Sequence, residues 1–230
     1  MKTYLIIGAS SGIGLAIAKS LSEQGNSVYG TYHSTQSNLP SEIHFNHLNV
    51  LDSDLDISFL SESIDGLVYC PGSIQLKPFA RIKPEQFADD YNLQFLGAVK
   101  VLQAALPKLR QGESPSVVFF STVAVQNGFN FHSLVSSSKG AIEGLTRALS
   151  AELAPTIRVN CIAPSLTNTP LAASMLNSDS KLQANNERHP LKRVGEASDI
   201  ASMAEFLLSE KASWITGQVM HVDGGMSTIK

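Results

Sequence analysis

Gly8, Gly12 and Gly14 stand in the run Gly8-Ala-Ser-Ser-Gly12-Ile-Gly14, directly after an apolar stretch, Tyr4-Leu-Ile-Ile7, and directly before a helix-length amphipathic segment. Glycine accepts positive φ and lets backbone come close to a ligand. A helix amino terminus offers free N–H groups and positive potential to an anion. The combination suits the pyrophosphate of a dinucleotide, cradled by Gly8, Ser10, Ser11, Gly12, Ile13 and Gly14. Glycines also serve plain turns, and the G-x-x-x-G-x-G spacing differs from the more familiar G-x-G-x-x-G fingerprint.

Further along, the helix-like segment Ser136-Ser-Ser-Lys139-Gly-Ala-Ile-Glu-Gly144 follows Phe119-Phe-Ser-Thr-Val123. Then come Ile157-Arg-Val-Asn-Cys-Ile-Ala-Pro164, Pro164-Ser-Leu-Thr-Asn-Thr169 and the ending Ile215-Thr-Gly-Gln-Val-Met-His-Val-Asp-Gly-Gly225. In this order, and together with the glycine loop, these segments resemble the short-chain dehydrogenase/reductase family over nearly the whole chain. The resemblance implies an enzyme that moves hydride between a nicotinamide dinucleotide and a small-molecule carbonyl, enone or alcohol. It places Pro164, Thr167 and Thr169 in the nicotinamide loop, with Ser165 where the family usually has glycine. Asn49-Val50 takes the place of the family's Asp-Val beside adenine, and a carboxamide can both donate to and accept from an adenine edge. Tyr69-Cys-Pro-Gly72 replaces Asn-Asn-Ala-Gly, so Cys70 and Gly72 face the cofactor without the usual side-chain amide.

Cofactor choice turns on the end of the second strand, where an acidic side chain binds a ribose diol and repels a 2′-phosphate. Here the chain reads Thr31-Tyr-His-Ser-Thr35, with no acid and with His33 and several hydroxyls able to donate. NADP(H) is therefore favoured over NAD(H), although His33 also reads as an exposed loop residue. No metal ligand set is assigned.

The resemblance makes Lys139 the lysine of the family's Tyr-x-x-x-Lys motif, and four residues earlier stands Val135. Thirteen residues before Val135, Thr122 replaces the family's serine. A threonine keeps a hydroxyl that can donate to a developing alkoxide. Valine transfers no proton, and general acid–base catalysis contributes about 10²–10⁴-fold. His132 matches the position where the enoyl-reductase branch of the family carries its tyrosine, and imidazole titrates in a useful range. The plainer reading of His132, a loop residue leading into the helix, weighs more. Asn92 is matched to the family asparagine that bends the preceding helix and holds a water near the lysine. Two readings stay open: an NADP(H)-dependent oxidoreductase with a non-standard proton donor, or a catalytically weak or inactive NADP(H)-binding protein that senses the cofactor or supports a partner.

The elements that must position these residues alternate along the chain. Strands are expected near 3–8, 27–32, 43–47, 66–70, 116–121, 157–162 and 218–222, with helices near 12–24, 51–60, 84–109, 133–154 and 197–209. Such alternation predicts a single-domain α/β fold of the doubly wound Rossmann type, with a seven-stranded parallel sheet spanning 1–230. The connection over 51–63 leaves little room for a helix. Residues 165–195 are polar and irregular, and are expected to form a lid over the carboxyl ends of the strands.

With 17 Lys and Arg against 20 Asp and Glu, the chain lacks the basic cluster a nucleic acid requires. No apolar run reaches the length of a membrane span, and no signal-peptide pattern opens the chain. Cys70 and Cys161 lie in apolar runs and read as buried thiols. A cytoplasmic setting is expected. The two long helices resemble those that pair between subunits in the family, which implies a homodimer or homotetramer.

Overall fold

The computed structural model describes residues 1–34 and 39–229. Thr35, the last residue of the expected 2′-phosphate segment, and Lys230 lie outside the described residues. The chain begins β1 (Thr3–Ile7), α1 (Gly12–Glu23), β2 (Ser27–Tyr32), β3 (His44–His47) and β4 (Gly66–Tyr69). Then follow α2 (Pro84–Tyr91), a π-helical turn (Asn92–Leu96), α3 (Gly97–Leu109), β5 (Ser116–Phe120), α4 (Val123–Gln126) and α5 (Ser133–Leu153). The remainder comprises β6 (Arg158–Pro164), β7 (Thr167–Asn168), α6 (Ala173–Leu176), α7 (Asp179–Arg188), β8 (Gly195–Glu196), α8 (Ala197–Leu208) and β9 (Val219–Val222).

Seven strands form one parallel sheet in the order β3-β2-β1-β4-β5-β6-β9. The expected single-domain α/β fold and its seven-stranded sheet are therefore present. The central strands are buried throughout, as the all-apolar Val117–Phe120 run of β5 requires when helices cover both faces. One face buries Leu5, Leu67, Val117 and Val159 against α3 and α5; the other buries Ile6, Val68, Val118 and Ile162 against α1 and α8. Between β3 and β4 the chain reverses its winding direction, so β1 and β4 flank a crevice at their carboxyl ends, where such sheets bind ligands.

Three expectations need correction. No helix forms over 51–60, which consists of turns and bends. There Asn49 Oδ1 accepts from the Leu51 N–H and Asp56 Oδ1 from the Ser58 N–H, local bonds that compete with helix formation. The helix expected at 84–109 is continuous in path but interrupted by the π turn. In the 165–195 segment, α7 starts where Ser178 Oγ accepts from the Lys181 N–H, so the segment is more ordered than its polarity suggested. Among the described residues, no helix is long and apolar enough to cross a membrane.

Candidate active site

At the carboxyl ends of β4, β5 and β6 the sheet opens on a cavity of about 250 Å³. Ile13 borders it from the glycine turn, Gly72 from beyond β4, Thr122 from beyond β5, Lys139 and Val135 from α5, and Pro164 from β6. Cys70, His132, Thr167 and Thr169 line the same cavity. Residues separated by more than 150 positions are thus gathered at one end of the sheet.

The turn after β1 explains its glycines. Gly8 and Gly12 take φ of +75° and +54°, a region costly for any residue bearing a Cβ. A Cβ on Gly14 would stand 2.3 Å from the Gly8 carbonyl oxygen, so α1 can start this close to the turn only with glycine there. Ser11 is the exposed N-cap of α1, and its side chain makes no cap bond. The amide of Gly8 is held by Thr31 Oγ1 at 3.1 Å. A Cβ on Gly12 would meet Thr169 at 3.4 Å, which places the loop after β6 directly against the glycine turn.

Lys139 is buried, and desolvation holds its ammonium below the usual lysine range while Cys161, Asp90 and Cys70 oppose that shift. The Gly72 position reports the surroundings: a Cβ there would lie 3.3 Å from Gln94 Oε1 and 3.8 Å from Lys139 Nζ. Gln94 Oε1 is buried without a hydrogen-bond partner among the described residues, while its Nε2 donates to Asp90 Oδ2 at 2.7 Å. Asp90 also accepts from Ser73 Oγ and, at 2.7 Å, from Ser138 Oγ. This buried carboxylate network fixes the Gln94 amide with one acceptor turned toward the lysine's surroundings.

Thr122 caps α4: its Oγ1 accepts from the Ala124 N–H at 3.3 Å, and its own O–H is left to donate. His132 is half-buried just before α5, with Nδ1 2.8 Å from the Asn130 carbonyl. That carbonyl can only accept, so Nδ1 carries the proton. Val135 is buried beside them. Burial pushes the Cys70 thiol up to about 12, which disfavours its thiolate.

Asn92 does not reach this site. It is exposed on the helix surface, and Gln94, two residues on, takes the buried place. Asp90 and Gln94 stand four residues apart, and their side chains meet across the passage from α2 into the π turn. Asn49 is also placed differently from expectation. Its amide donates to Asp52 Oδ1 at 2.7 Å and its Oδ1 holds the Leu51 N–H, so the carboxamide serves its own turn. Val50 is buried in the core. His33 is exposed, with its ring 6.0 Å from that of His47.

A nicotinamide dinucleotide fits this set. The cradle at Gly8, Gly12 and Gly14 is one a Cβ would obstruct, and the unpartnered Gln94 acceptor and the buried ammonium of Lys139 stand where hydroxyl groups would satisfy them. Gly8 through Gly14 would hold the pyrophosphate, Lys139 the ribose, and Pro164, Thr167 and Thr169 the carboxamide end.

Known proteins resemble this chain over nearly its whole length. A family model described as enoyl-(acyl carrier protein) reductase matches residues 8–227. A tropinone reductase homologue of Arabidopsis thaliana is 32% identical over 98% of this chain and 92% of its own length. The 3-oxoacyl-[acyl-carrier-protein] reductase FabG of Staphylococcus aureus is 29% identical over 98% of both chains. Among solved structures, ligand-free aldohexose dehydrogenase of Thermoplasma acidophilum superposes with a TM-score of 0.92 at 27% identity, over 100% of this chain and 95% of that one. ElxO with NADP bound superposes with a TM-score of 0.90 at 25% identity over the whole of both chains.

Proposed function

The chain belongs to the short-chain dehydrogenase/reductase family, and from that premise we propose that it is an NADP(H)-dependent oxidoreductase acting on a small carbonyl, enone or alcohol. The relatives are dehydrogenases and reductases, and this chain is an oxidoreductase of their kind. One observation carries the more specific reading: a single cavity is bordered by the glycine turn at Ile13, by the buried Lys139, by the free hydroxyl of Thr122 and by the loop Pro164–Thr169. The bound dinucleotide would supply or accept hydride. Lys139 would hold the ribose, and Thr122 would donate a hydrogen bond to the substrate oxygen as negative charge develops on it. Valine at 135 leaves proton transfer to another group, with His132 a candidate on the same cavity wall.

The preference for NADP(H) rests on the exposed His33, the lack of an acid over Thr31–Ser34, and NADP in the ElxO structure. The apolar walls, with Phe120, Val123, Leu171 and Met175, suit a small, largely hydrocarbon substrate. The homo-oligomeric state expected for the family belongs to the same reading, as does a cytoplasmic setting.

Fluorescence titration with NADPH and NADH, followed by absorbance at 340 nm with 2-cyclohexenone, ethyl acetoacetate and benzaldehyde, tests the proposal. Tighter binding of NADPH and its substrate-dependent oxidation are expected. Binding of neither nucleotide, or binding with no oxidation on any of these three carbonyl compounds, would sink it.

A further inference from the structure

Ser165 and His189 form a pair that the oxidoreductase reading does not use. Ser165 follows the last residue of β6, and His189 follows α7; 24 residues separate them, yet Ser165 Oγ lies 2.8 Å from His189 Nε2. His189 Nδ1 lies 2.7 Å from the Asn185 carbonyl oxygen. A carbonyl only accepts, so Nδ1 carries a proton, Nε2 offers its lone pair, and the Ser165 hydroxyl donates to it. The imidazole is 2% exposed, and its tautomer and orientation are fixed by a third group, as in hydroxyl–imidazole catalysis generally. Both side chains line the cavity that holds Lys139, Thr122 and Val135.

We propose that the Ser165–His189 pair is the proton relay of this enzyme, taking the place of the phenol that Val135 cannot supply. The proposal rests on the oxidoreductase reading. In the oxidative direction an alcohol loses a hydride, and with it two electrons, from carbon to the oxidised dinucleotide. Its O–H proton passes to Ser165 Oγ as the serine proton passes to His189 Nε2, and the imidazolium releases that proton to water. In the reductive direction the carbonyl carbon gains hydride from the reduced dinucleotide. Its oxygen takes the Ser165 proton, Ser165 takes the Nε2 proton of an imidazolium His189, and water restores the latter. A serine hydroxyl alone has too high a pKa for this work, and the coupled histidine supplies the missing basicity.

Titratable and charged groups share two cavities with the imidazole. Lys139, His132 and Arg188 share the main cavity with it. On its other side a second cavity of about 220 Å³ is bordered by Ser165, His189, Arg193, Asp199 and Asp223. Arg193 and Asp199 pair with each other at 2.6 and 2.9 Å. Asp223 accepts from the Gly225 N–H, and Gly224 lies against the ring.

The test compares wild type with Ser165→Ala, Ser165→Thr, His189→Gln and His132→Ala in NADPH-dependent reduction from pH 5 to 9, alongside NADPH affinity and melting temperature. Histidine-selective NMR of the protein without substrate follows the His189 ring across the same range. Ser165→Ala is expected to lose about 10²-fold or more in kcat and to lose the histidine limb of the pH profile, while keeping NADPH affinity and melting temperature. Ser165→Thr restores a hydroxyl and part of the rate, and the kinetic limb of wild type coincides with the His189 titration. The relay is overturned if Ser165→Ala keeps rate and profile, if the limb and the His189 titration differ, or if His132→Ala removes the limb while Ser165→Ala does not. Wild-type protein that binds NADPH and turns over nothing defeats the oxidoreductase reading and the relay together, whereas turnover unaffected by Ser165→Ala defeats the relay alone.

Discussion

Lys139 is an ammonium held where water is scarce, and burial disfavours its charged form. Its folded-state pKa is lowered relative to the unfolded chain, so between the two values the unfolded state binds more protons and stability rises with pH. Below that window the buried charge costs stability in full. Lys139→Met is therefore expected to stabilise the cofactor-free protein at pH 7 by about 1–2 kcal/mol, as removal of functional buried charges often does. Chemical denaturation at pH 7 and pH 10 should show this gain shrinking toward alkaline pH, while NADPH affinity falls at both. An unchanged stability difference across that range would contradict the burial argument. Gly14 supplies a second case. A Cβ at 2.3 Å from the Gly8 carbonyl cannot be accommodated without moving backbone, so Gly14→Ala should cost about 1–3 kcal/mol and weaken NADPH binding. Retention of both would show that the turn has slack the geometry denies. These glycines were legible in the sequence because a turn before a helix leaves a pattern of residue type. Gln94 was not, since its burial depends on how α2 passes into the π turn.

At the scale of elements, the α2–α3 passage is organised around that π turn. Tyr69 donates to the Leu93 carbonyl at 2.6 Å, and Gly97 leaves the space, because a Cβ there would stand 2.3 Å from the Tyr69 hydroxyl. The start of α8 depends on Asp199, whose Oδ2 accepts from the Glu196 N–H at 2.7 Å and whose carboxylate receives both Arg193 nitrogens. The Arg193 side chain holds the Asp199 carboxyl below the usual aspartate range. A depressed folded-state pKa contributes stability above the unfolded value and loses it as pH falls through the folded one. Asp199→Asn should accordingly destabilise by about 1 kcal/mol at pH 7, with the deficit disappearing in melts taken in strong acid. A deficit of constant size would assign the role to shape rather than charge. The absent helix at 51–60 belongs to this scale too: the alternation of elements called for one, the short connection left little room for it, and short amide and acid side chains gave the backbone other partners.

For the whole molecule, the helix pair α3 and α5 is the face through which the family resemblance implies association. Gly144 and Ala148 of α5 are exposed, and no heavy atom lies within 4 Å of a Cβ at Gly144. Sedimentation equilibrium should find a dimer or tetramer, and Ala148→Glu should shift it toward monomer with NADPH affinity retained. A monomeric wild type would remove this part of the reading. Alternating apolar runs and amphipathic segments specified the parallel sheet and its seven strands, because burial on both faces demands continuous hydrophobic strands. The glycine loop could be read from residue type at a local spacing, whereas Thr122, Lys139 and the Pro164–Thr169 loop were named only through the family resemblance. The tertiary structure alone joined Ser165 to His189, set Gln94 rather than Asn92 beside Lys139, and engaged Asn49 within its own turn. Those relations depend on distances between segments remote along the chain, and side-chain patterning encodes which face is buried without encoding which distant groups meet there.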